Sequence, residues 1–112
     1  MREVIRIIAS GEVARRTNGQ PVVSETSYTV PEGRVLRLSR VTCGSEYSIH
    51  EARVEVLLVV DTTETVIGIA YTGTVQFSVD IEATAGQQIK IRRKNGDPTE
   101  LHMTGVVEGI LL

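Results

Sequence analysis

The stretch TVQFSVDIE at 74–82 alternates without a break. Val75, Phe77, Val79 and Ile81 fall on one side, and Thr74, Gln76, Ser78 and Asp80 on the other. A period of two is the mark of a half-buried β-strand, because successive side chains point to opposite faces. QIKIRRK at 88–94 reads the same way, with Ile89 and Ile91 inward and Lys90, Arg92 and Lys94 outward. RVLRLSR at 34–40 turns Leu36 and Leu38 inward, and SETSYTV at 24–30 puts Thr26, Tyr28 and Val30 on one face. Four further segments are extended but less tidy: 3–9, 52–61, 65–72 and 100–112. No stretch keeps a helical period for three turns.

Turn signals separate these segments: TNGQP at 17–21, VPEG at 30–33, CGSE at 43–46, DTTE at 61–64, TGT at 72–74, TAGQ at 84–87 and KNGDP at 94–98. The glycine inside 65–72 marks a bulge or a close approach. Asn95-Gly96 is a hairpin signal, and it predicts that the strand around Ile89–Ile91 pairs with the one around Leu101–Met103. About eight short strands at even spacing, with no helix, make an all-β sandwich or barrel. A chain of 112 residues is one domain, spanning 1–112, and buries roughly two-thirds of its unfolded surface without needing a disulfide or a metal.

One pattern occurs twice. PEGRVLRLSR at 31–40 and TAGQQIKIRR at 84–93 both run from a glycine turn into a strand with an aliphatic inner face and a basic outer one. A jelly roll contains two Greek keys, so two strands can take similar places in its two halves. A jelly-roll β-sandwich of about eight antiparallel strands is therefore the expected fold.

Composition narrows the function. Net charge is −2, against the basic footprint of a nucleic-acid binder. The longest apolar run, Val56–Val60, is too short to span a membrane. MREVIRII has no basic region followed by a long apolar core, so synthesis in the cytoplasm is expected. Cys43 is the one cysteine and reads as a small buried thiol. His50 and His102 form no His-x-His pair, and zinc or iron sites need three or more convergent ligands. No nucleophile elbow, phosphate loop or dinucleotide fingerprint is present. The expectation is a protein with no catalytic residues, no metal and no cofactor.

Two sets of residues remain. Leu57 and Val59 oppose a strand face already filled by Val54, Val56, Leu58 and Val60. Val106, Ile110 and Leu112 likewise make the tail apolar on both sides. A sandwich strand needs one inward face, so these five are the expected oligomer interface. Arg37, Lys90, Arg92 and Lys94 form an expected polar contact face if the two basic strands are neighbours. The alternative is that they pair with acidic residues on adjacent strands.

YTVPEGRVLRLSRV, a long apolar strand, TVQFSVDIEATAGQQIKIRRKNGD and a closing strand from ELHMTG resemble, over residues 28–105, small single jelly-roll virion structural proteins. That resemblance implies a decoration or minor capsid component in the virion, a homotrimer, and a major capsid lattice as partner. A carbohydrate- or receptor-binding sandwich is the second expectation, weakened by the absence of Trp. Cupins share the Pro-x-Gly turn at Pro31-Glu32-Gly33, but their histidine cluster is missing.

Overall fold

The computed structural model describes residues 2–112. Among them are eight strands: β1 (Glu3–Val13), β2 (Val22–Thr29), β3 (Val35–Ser45), β4 (Ala52–Val60), β5 (Thr63–Ala70), β6 (Gly73–Thr84), β7 (Gln88–Asn95) and β8 (Leu101–Leu111). Two antiparallel four-stranded sheets face each other, in the orders β1-β8-β3-β6 and β2-β7-β4-β5. This is the order of a jelly roll, as the alternation and the repeated pattern predict. Each sheet sends one row of side chains inward. Leu36, Leu38, Val41, Met103 and Val107 of the first sheet meet Val54, Val56, Ile89 and Ile91 of the second in one core. Full burial of each such side chain contributes roughly 1.5–3 kcal/mol.

The repeated pattern lands where the Greek keys require. β3 and β7 are inner strands, one in each sheet. Their entry turns sit side by side: Val30 donates its N–H to Gln87 O at 2.9 Å, and Gly86 donates to Val30 O at 3.0 Å. Gly33 and Gly86 hold φ of 76° and 85°, a region that costs a residue with a Cβ but not glycine.

The two Asn-Gly pairs part company. Asn18 and Gly19 have φ of 52° and 73°, and Thr17 and Gln20 exchange two 2.9 Å backbone bonds around them. That is the tight turn an Asn-Gly pair favours. Asn95-Gly96 is not a hairpin, which corrects the pairing expected from the sequence. β7 pairs with β2 and β4, β8 pairs with β1 and β3, and the link between β7 and β8 crosses from one sheet to the other. Gly96 is small because its backbone passes against Glu51, whose carbonyl accepts its N–H at 2.6 Å; a Cβ there would collide with that oxygen. Asn95 is fully buried, and its amide donates to the carbonyls of Val13, Ala14 and Thr99 at 3.0–3.2 Å. Gly68 meets both of its expectations. It sits beside a register shift between β4 and β5, and a Cβ there would strike Val41.

Candidate functional site

The connections β1–β2, β3–β4, β5–β6 and β7–β8 gather at one end of the sandwich, because Val13, Val22, Ala52 and Leu101 all lie where the Asn95 amide or backbone ties in. Asp97 organises this end. Ser48 donates its hydroxyl to Asp97 Oδ1, and Thr99 donates both its hydroxyl (2.6 Å) and its N–H (2.9 Å) to Oδ2. These bonds, Ser48's first, hold the Asp97 carboxyl down at about 2. Ser48, His50 and Asp97 are the residue types of a hydrolytic triad in the wrong arrangement. The serine donates straight to the carboxylate, and His50 offers Ser48 only its backbone N–H, at 3.0 Å. No base stands between nucleophile and acid. The cluster is a tie between two loops.

A second polar chain lies on the outer face of the first sheet. Glu12 Oε1 is 3.3 Å from His102 Nδ1, and His102 Nε2 is 3.4 Å from Thr104 Oγ1 and 3.5 Å from Ser10 Oγ. Glu12 and His102 are half exposed on an open sheet surface. β8 is flanked by β1 and β3, whose ladders engage its amides, so no backbone donor converges to hold an oxyanion. Among the described residues no group of three His, Cys, Asp or Glu converges on one point. Cys43 lies in the core, and burial pushes its thiol up to about 11, where it is neither nucleophile nor ligand.

The expected polar contact face divides. Arg37 stands on the outer face of β1-β8-β3-β6, whereas Lys90, Arg92 and Lys94 stand on the outer face of β2-β7-β4-β5, on the opposite side of the molecule. The basic strands are not neighbours, so the single positive face is corrected. Each cation instead meets a carboxylate: Arg37 with Glu82 at 3.0 Å, Arg92 with Glu25 at 2.6 Å and Glu64 at 3.0 Å, Lys90 with Glu64 at 3.2 Å, and Lys94 with Glu51 at 2.6 Å. Arg93 belongs to neither outer face. It continues the inward row of Ile89 and Ile91, and bonds Gly11 O, Met103 O and Ser24 Oγ between the sheets. The alternation of β7 already carried that signal.

The expected apolar interface divides in the same way. Leu57 and Val59 lie on the outer face of the second sheet; Val106, Ile110 and Leu112 lie on that of the first. Leu57 is 2% exposed, which removes it from any contact surface. Its register partners are Lys90 on β7 and Val66 on β5. Glu64 on β5 reaches across β4 to Lys90 and Arg92 on β7, and this bridge passes over the strand that holds Leu57. Arg92, then Lys90, lower the Glu64 carboxyl below its ordinary value. Exposed ion pairs contribute only about 0–1 kcal/mol each. The larger service of these side chains is that Lys and Arg stems cover apolar surface while their charges stay in water.

The first sheet has no such roof. Its outer face is ruled in rows across β1, β8 and β3: Val4–Ile110–Arg37, then Arg6–Glu108–Arg40, then Ile8–Val106–Thr42. Val4 is 87% exposed and Ile8 49%, beside half-buried Val106 and Ile110 and exposed Leu112. Val4 and Ile8 were readable as apolar residues on both parities of segment 3–9.

No family model matches the chain, and no curated protein does. Among solved structures the chain is similar to a family two carbohydrate esterase from Cellvibrio japonicus, at 12% identity and a TM-score of 0.39. That likeness takes in 97% of this chain and 34% of the other, so this chain spans about a third of that protein's length.

Proposed function

We propose that this chain is a non-catalytic structural module that associates with copies of itself through the outer face of β1-β8-β3-β6. Its place, following the resemblance over 28–105, is in a virus particle, as a decoration or minor capsid component. The observation that supports it is exposed Val4 and Ile8 beside half-buried Val106 and Ile110 on one sheet, where the other sheet buries Leu57. Exposed apolar residues on an open sheet face mark a contact site. Rows of charge lie between the apolar rows, Arg6–Glu108–Arg40 on this face, and give a contact direction and register.

The test is solution mass by light scattering across protein concentrations, with Ile110→Glu as the variant. An oligomer that Ile110→Glu converts to a folded monomer is the expected result. A wild-type monomer at every concentration removes the assembly reading.

A second reading has one observation behind it. Tyr47 and Tyr71 are 72% and 63% exposed, and each lies two residues beyond the terminal pair Ser45–Gly73 at the loop end. Exposed tyrosines flanking a polar rim are the chemistry of a glycan or receptor contact. A repeatable glycan-array signal that Tyr47→Ala abolishes would favour it.

A further inference from the structure

β1 is a long edge strand. It runs eleven residues in unbroken register with β8 and holds no proline and no lysine, two of the devices that keep sheet edges apart; the charges it does carry are Glu3, Arg6 and Glu12. The other edges differ. β2 is shorter and follows Pro21, β5 is shorter and carries a register shift, and β6 is broken in register opposite Leu38–Arg40.

The charges on β1 point to what pairs with it. Arg6 is exposed and has no carboxylate within 4.0 Å among the described residues, although Glu108 is its register partner. Glu108 is engaged by Arg40 at 3.6 Å. Glu12, on the same face as Arg6, reaches only His102. Consider β1 laid antiparallel on its own copy. A two-fold axis at Ile8 sets Arg6 against Ser10 and Glu12 against Val4. An axis at Ile7 sets Arg6 against Ile8. An axis at Ala9 sets Arg6 against Glu12 of the partner subunit, and by symmetry does so twice. It also sets Ile8 against Ser10 of the partner subunit and brings the two Ile8 side chains into diagonal contact.

We propose that two copies join edge to edge through β1, antiparallel about a two-fold axis at Ala9, with Arg6 and Glu12 as reciprocal ion pairs. The pairing rests on the self-association reading above and moves its contact from the outer face to the β1 edge of the same sheet. It makes one continuous sheet of the two β1-β8-β3-β6 sheets, and it replaces the threefold arrangement that the resemblance implies.

The experiment is a charge swap read by light-scattering mass over a dilution series. Arg6→Glu and Glu12→Arg each set like charges across the axis at both symmetric positions, and each should weaken the pair about tenfold. The double variant Arg6→Glu/Glu12→Arg should restore it. Both residues are exposed, and circular dichroism on each variant checks its fold before its mass is read. Restoration supports the pairing. Unchanged association in all three variants, or a mass of three chains, overturns the register while the self-association reading stands. A wild-type monomer overturns both.

Discussion

The two outer faces of this sandwich solve one problem in opposite ways. Each carries aliphatic residues that a two-sheet fold does not need on the outside. The β2-β7-β4-β5 face puts Leu57 on an inner strand and carries Glu64, Lys90, Arg92 and Glu25 around it in ion pairs of 2.6–3.2 Å. The β1-β8-β3-β6 face puts Val4 and Ile8 on an edge strand with Arg6 between them and leaves all three bare. The lesson is that an apolar residue on an outer strand face is no interface by itself. What decides is whether a long charged side chain from a neighbouring strand can lie over it, and that depends on strand order rather than on the strand's own sequence.

The largest expected effect lies in the aliphatic residues themselves. Leu57→Ala should cost about 2–4 kcal/mol in urea denaturation, as a core truncation does. Ile8→Ala should change monomer stability by no more than about 0.5 kcal/mol. Equal costs at the two positions would break the contrast. Cys43 offers a second readout of it. Its buried thiol should resist labelling by thiol reagents in the native protein and react once the sheets part. Leu57→Ala should speed that labelling, and Ile8→Ala should not.

A smaller effect is expected from the roof. Glu64→Gln removes the carboxylate that bridges to Lys90 and Arg92, and should lower the urea midpoint at low salt. Surface ion pairs are screened within about 8–10 Å at physiological salt, so the difference should shrink as salt is added. A loss indifferent to salt would mean that Glu64 acts by packing rather than by charge.

A further effect, confined to acid, separates both faces from the loop end. Asp97 is held at about 2 against an ordinary 3.8. Its folded value is depressed, so the unfolded chain takes up protons first as pH falls. The stability it contributes is complete above about pH 4 and is lost as pH drops toward about 2. Asp97→Asn should flatten the pH dependence in that window. An unchanged acid profile would show that Ser48 and Thr99 do not govern this carboxylate.

The sequence carried a good deal of this. Alternation located four strands and untidy extended segments the other four, and the repeated glycine-turn pattern anticipated two strands in similar places in the two halves. The failures share one cause. Asn95-Gly96 was expected to make a hairpin because local signals cannot say that β8 belongs to the other sheet. There, the asparagine serves as a buried amide bonding three carbonyls and the glycine as a gap for Glu51 O. Leu57 was expected at a contact surface because alternation assigns a face but not its cover. The cover comes from Glu64 and Arg92, twenty-eight positions apart. The basic strands formed no common face because their sheets turn opposite ways. Each of these is a fact of strand order, and no run of neighbouring residues encodes it.

The most direct measurement compares the faces by sedimentation velocity. Ile8→Glu places a charge on the bare face, and Val66→Glu places one on the roofed face at an exposed position. The account predicts that wild type and Val66→Glu sediment as the same oligomer and that Ile8→Glu sediments as a folded monomer. A wild-type monomer, or an oligomer that Val66→Glu breaks and Ile8→Glu does not, would contradict it.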